Sequence, residues 1–80
     1  MNVANHSRIT VVTRTVANTL APAQINEAMR QLGEKMKHQD PDNPDLWTVS
    51  IDSFTLWGIL DRGAGPNQED VLTLLFPEDY

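Results

Sequence analysis

The chain has no cysteine, so disulfide frameworks and thiolate metal sites are both excluded. Histidine is nearly absent too. With only His6 and His38, a zinc site would have to recruit carboxylates from distant loops. The apolar runs are too short for a signal h-region or a membrane span. Together with the missing thiols, this reads as a reducing, cytoplasmic setting. No aromatic residue precedes Trp47, and Trp47, Phe54, Trp57, Phe76 and Tyr80 all lie in the second half. That half is also almost without bases. Residues 40–80 carry Arg62 against nine acids, or −8, whereas residues 1–39 carry Arg8, Arg14, Arg30, Lys35 and Lys37 against Glu27 and Glu34, or +3. The net charge of −5 therefore conceals two unlike halves.

What is present is globular in composition, with 40% apolar and 21% charged residues. Eighty residues hold one core, so the expected organisation is a single domain over 1–80, its first six residues a polar, frayed tail. A chain of this size buries roughly 60–65% of its unfolded surface, and large rings dominate that burial. The fold is therefore expected to be decided in Leu46–Phe76.

Arg8–Val16 is dense in β-branched residues and reads as a strand. Thr19 is then placed to cap a helix with Pro22 in its first turn. Ile25, Ala28, Met29, Leu32 and Met36 follow at spacings of 3 or 4 and make one apolar stripe. Gly33 costs that helix about 1 kcal/mol relative to alanine, which a close approach of helix to sheet would explain. Lys35, Lys37 and His38 complement its C-terminal dipole. Gln39–Asp45 breaks the helix, and Trp47, Val49 and Ile51 alternate along a second strand. Phe54, Leu56, Trp57, Ile59 and Leu60 fit a short buried helix capped by Asp52 or Ser53 and ended by Gly63, with a bent second strand as the competing reading. Asn67 with Glu69 and Asp70 opens a last helix over Val71, Leu74 and Leu75, against the alternative of an edge strand over Val71–Phe76. The expected fold is α+β in the order β-α-β-α-α, one amphipathic helix and a C-terminal helical pair packed on a small sheet.

No complete catalytic, metal or phosphate motif occurs. Asp40, Asp42 and Asp45 with Asn43 resemble a hard-cation cluster, but Pro44, Asp45 and Ile51 stand where a calcium loop needs a ligand, glycine and glutamate, so the segment reads as a solvated loop. Gly63-Ala64-Gly65-Pro66 lacks the Lys-Ser/Thr pair of a phosphate loop and is followed by acids. Phe54–Phe76 can be read as a helix-turn-helix, yet its second helix offers Gln68, Glu69, Asp70 and Thr73 where a DNA reader needs bases. The order of strand, Asp/Ser cap, aromatic helix, glycine turn and acidic-capped helix resembles the winged modules that bind leader peptides in peptide-modifying pathways. That resemblance covers Trp47–Tyr80 and leaves the preceding helix unaccounted for.

The function expected from these observations is contact. The chain reads as a small acidic interaction module, a regulator, adaptor or inhibitor and not an enzyme. It would dock a partner protein, or a second copy of itself, through Trp47, Phe54, Trp57, Phe76 and Tyr80 with Glu69 and Asp70 beside them. No cofactor, metal or membrane is implied. Nucleic-acid binding by the whole molecule is disfavoured by the sign of its charge. Two alternatives stand beside this reading. One is a nucleic-acid-linked or leader-peptide-binding role, the former through the five bases of the first half. The other is a small enzyme in which His38, Asp40 and Asp42 meet a distant group.

Overall fold

The computed structural model describes residues 8–38, 42 and 44–80. The expected tail at residues 1–6, and Asp40 and Asn43 of the acidic loop, lie outside these. The elements run β1 (Arg8–Val12), α1 (Arg14–Thr19), α2 (Pro22–Lys35), β2 (Leu46–Ile51), β3 (Phe54–Asp61) and β4 (Asp70–Leu75), with a 3₁₀ turn at Pro77–Asp79. The class is α+β, but the order is β-α-α-β-β-β, and the chain closes on strands instead of a helical pair. The sheet has the spatial order β1-β4-β3-β2, with β1 parallel to β4 and the other pairs antiparallel.

Each departure from the sequence reading has a local cause. The first strand stops at Val12 because Thr13 turns the chain, its hydroxyl accepting from the amide of Val16 at 3.4 Å to start α1. Thr19 ends that short helix and does not cap the next. The start of α2 is held by Gln24, whose carbonyl accepts from the amide of Ala21 at 2.8 Å, with Pro22 at the first helical position. Beyond β2, the break in phase at Asp52-Ser53 is a two-residue hairpin turn, not a helix cap. Asp52 takes the left-handed backbone, φ 52°, which a short polar side chain tolerates. Phe54–Leu60 then pairs antiparallel with β2, Trp47 opposite Gly58 and Val49 opposite Leu56. Its aromatic and β-branched residues are poor helix formers and good sheet formers, so the pairing prevails.

The same reasoning moves Asn67, Glu69 and Asp70 from a helix start into a loop. The amide of Gly63 donates to Asp70 at 3.0 Å, and that of Asn67 donates to Glu69 at 2.8 Å. Gly63, at φ 68°, supplies a turn and not a helix end. The strand that follows is interior, between β1 and β3, so the edge-strand alternative is also corrected. Its Asp-Val-Leu-Thr-Leu-Leu sequence, apolar on both sides, suits that place.

Strand alternation sorts the side chains into two faces. Val12, Trp47, Val49, Ile51, Leu56, Leu60, Leu72 and Leu74 point to one side and form the core with Val16, Leu20, Ala28 and Leu32 of the helical layer. The layers approach closely at Gly58, where a Cβ would stand 2.6 Å from both methyls of Leu32. Gly33 makes no such approach, since a Cβ there would meet nothing within 4 Å. Gly33→Ala is therefore expected to stabilise the fold by about 1 kcal/mol, which raises the melting temperature by roughly 4–8 °C in a thermal scan. An unchanged melting temperature would show that a methyl at this helix position meets an obstacle.

At the free edge of β2, Lys35 donates to the carbonyl of Thr48. The ladder to β3 uses the odd-numbered residues, as the bond from Leu60 to the carbonyl of Asp45 at 2.9 Å requires, so Thr48 faces outward. A helix-borne cation thus blunts one exposed edge of the sheet.

Candidate functional site

Both helices pack on one side of the sheet, and the other side is open. It presents Trp57 and Ile59 of β3, Val71 and Leu75 of β4, and Ile9 and Val11 of β1, because these alternate with the core residues in the paired register. Val11 is 40% exposed. Leu75 is buried, yet it stands outside the core cluster, on this face opposite Trp57. The 3₁₀ turn brings Tyr80 back so that its ring meets Trp57 edge-on at 5.8 Å between centroids. Tyr80 itself is 83% exposed.

The sequence-derived aromatic set is therefore divided between two faces. Trp47 and Phe76 are buried on the helical side, and Phe54 packs there at 6.0 Å from Phe76. The indole of Trp47 donates to the carbonyl of His38 at 3.4 Å, so His38 serves here through its backbone. Only Trp57 and Tyr80 reach the open face. The two acids assigned to its rim are turned to another use. Asp70 and Glu69 hold the Gly63–Gln68 loop, and Glu69 titrates below the ordinary carboxylate range because its own amide and that of Asn67 bond to it.

The acids that do flank the open face are others. Asp61 lies at the end of β3, on that face by register, and Asp79 lies in the 3₁₀ turn next to Tyr80, whereas Glu78 of the same turn lines a cleft on the helical side. None of these acids makes an ion pair with a described residue. The nearby cation, Arg62, is occupied by Asp45 at 2.9 Å, which raises its pKa. Alternation from Trp57 to Asp61 would have found the first of these acids had β3 been read as a strand. Pro77 marks the end of the strand, but not the return of Tyr80 onto Trp57.

Three of the five bases of the first half have polar partners. Arg30 pairs with Glu27 at 2.6 Å and Lys37 with Glu34 at 3.3 Å, while Lys35 is held at Thr48. Hydrogen bonds from Arg30 and then Gln31 pull Glu27 down to about 2 from the usual 4.5. A depressed carboxylate contributes stability above its unfolded value and loses it as pH falls toward the folded one, so this contribution fades between about 4.5 and 2. The pair is exposed, and the contribution is correspondingly small.

Two clefts accompany the sheet. One, of about 410 Å³, lies between α1, the β2–β3 turn and the 3₁₀ turn. The other, of about 310 Å³, lies between α2 and the end of β2. In the second, Glu27 is engaged by Arg30, and Asp52 accepts from Gln24 at 2.8 Å, so its charges already have partners. Among the described residues, no three His, Cys, Asp or Glu side chains gather as a metal site, and no helix is long and apolar enough to cross a membrane. Asp40 lies outside those residues, so the arrangement of His38, Asp40 and Asp42 is not defined.

No protein-family model matches this chain, and no curated protein or solved structure matches it either. The helix-turn-helix and the winged module both required helices at Phe54–Leu60 and Val71–Leu75. Both segments are strands, so the basis for that resemblance is gone.

Proposed function

We propose that this protein is a docking module whose open sheet face receives a partner protein with an apolar centre and a basic border. The observation that carries the reading is the sheet itself. One side is closed by two helices, and the other displays Trp57, Ile59, Val71 and Val11 with uncompensated acids at its margin. An apolar patch ringed by charge is how docking surfaces combine affinity with selectivity. Charge decides between occupants. A second copy would bring −5 against −5 and set Asp61 and Asp79 against their own kind, whereas a basic partner is drawn in by the same field.

The test uses the full chain as bait in lysate of its host, beside Ile59→Lys and an Asp61→Lys/Asp79→Lys double variant. The wild type is expected to retain basic proteins by cross-linking mass spectrometry. Ile59→Lys should reduce their capture at least tenfold, a loss of roughly 1.4 kcal/mol, and the double variant should slow their association. Light scattering is expected to give a monomer. Retention unaffected by Ile59→Lys, or a wild-type dimer that this substitution dissociates, would defeat the reading.

A further inference from the structure

The larger cleft has a composition of its own. Four hydroxyl-bearing residues line it, Thr15 and Thr19 of α1, Ser53 of the hairpin turn and Thr55 of β3. None of their hydroxyls is engaged in a hydrogen bond with a described residue, and Glu78, which joins them, has no partner there either. Phe54 and Phe76 supply an aromatic wall, with Phe54 only half buried. No Lys, Arg or His lines the cleft. Its volume of about 410 Å³ lies within the roughly 300–1,000 Å³ of small-ligand clefts.

We propose that this cleft is an arginine-binding site, which takes the guanidinium side chain of an arginine on the docked partner. The proposal rests on the docking reading above for the source of that arginine. The sign comes first. A lone carboxylate with no neighbouring cation rejects anions and attracts a positive group. Donor count comes next. A guanidinium carries five N–H donors in a planar fork and no acceptor, so it needs a carboxylate for two of them and further acceptors for the rest. Glu78 supplies the first and the ring of hydroxyls the second. An ammonium has three donors around a point, and matches this spread of acceptors less well. The aromatic wall completes the fit, because a flat, weakly hydrated cation stacks on a ring face more readily than a hydrated ammonium does. The cleft and the open sheet face share the 3₁₀ turn, which carries Glu78 toward one and Tyr80 toward the other, so a single partner can occupy both.

The experiment reads backbone amide shifts of the full chain during titration with Nα-acetyl-arginine methylamide, with its lysine and citrulline counterparts, and with methyl glucoside. The arginine probe is expected to move Thr15, Ser53, Thr55 and Glu78 with a dissociation constant on the order of millimolar, as suits so small a ligand. The lysine probe should bind several-fold more weakly. Citrulline, which keeps the shape and loses the charge, should bind at least roughly tenfold more weakly. Glu78→Gln should weaken arginine roughly tenfold while the melting temperature stays put, since the side chain is exposed. Thr55→Val should weaken it less. Shifts that do not localise, equal binding of citrulline, a preference for the glucoside, or an indifferent Glu78→Gln would each overturn the proposal. Partner capture by Ile59→Lys is read separately. An arginine probe that fails while Ile59→Lys still loses the partner removes the arginine site and leaves the docking face standing.

Discussion

Gly58→Val is expected to destabilise the protein by about 3 kcal/mol, lowering the melting temperature by more than 10 °C. The position is the middle of β3, flanked by Trp47 of β2 and Leu74 of β4 in the ladder, and it faces the helices. A Cβ there would lie 2.6 Å from two side-chain atoms of Leu32, which is fully buried, so its methyls give way only by disturbing a close-packed interior. Either α2 lifts from the sheet or Leu32 leaves its rotamer, and both cost packing. Strand propensity pulls the other way, since valine is a better strand residue than glycine. That scale spans only about 1 kcal/mol, so the clash prevails.

The pair with Leu32→Ala makes the prediction specific. Leu32→Ala alone should cost about 3 kcal/mol through the cavity it leaves. Combined with Gly58→Val, it makes room for the new methyls, and the double variant should be more stable than the sum of the singles by about 1–2 kcal/mol. Urea titrations of the four proteins measure this. Simple additivity would show that the two residues do not meet as described.

This contact also marks the limit of what the sequence revealed. The stripe from Ile25 to Met36 and the alternation of Trp47, Val49 and Ile51 each carry one periodicity, because each element buries one side only, and both were legible. The sequence drew attention to Gly33 as the point of close approach, while the structure uses Gly58. The two cannot be told apart without knowing which strand crosses under Leu32. The segments Phe54–Leu60 and Val71–Leu75 misled for a single reason. Both have apolar residues on both sides of the strand, so the period of two is lost, and positions such as 54, 57 and 60 mimic a helix. The residues that erased the signal include Trp57, Ile59, Val71 and Leu75, which make the open face. The candidate site was thus hidden by its own composition, and Asp61 with it. Glu69 and Asp70 were noticed for their charge, but which backbone amides they would bond depended on the loop that brings Gly63 and Asn67 beside them.

Leu74 and Leu75 are neighbours of the same type, both almost inaccessible to solvent, and they are expected to behave differently. Leu74 sits between the sheet and the helices, opposite Gly58 and Val12, inside the core cluster. Its truncation to alanine leaves a cavity walled on all sides and should cost about 3–4 kcal/mol, with a fall in melting temperature of at least 12 °C. Leu75 faces the other way, paired with Trp57 on the side of the sheet away from the core cluster. On an open face the surrounding groups can settle into the gap, so Leu75→Ala should cost about 2 kcal/mol or less. Its larger consequence falls on binding. The floor beneath Trp57 is lost, and the ring that anchors a partner at the centre of the face is no longer held in place. Calorimetry on the two variants, beside partner retention at a temperature where both remain folded, separates these effects. Leu74→Ala should bind as the wild type does while it stays folded, and Leu75→Ala should bind at least several-fold more weakly. If the two substitutions cost the same stability and neither alters retention, the second face of the sheet is ordinary core, and the docking function has no surface on which to act.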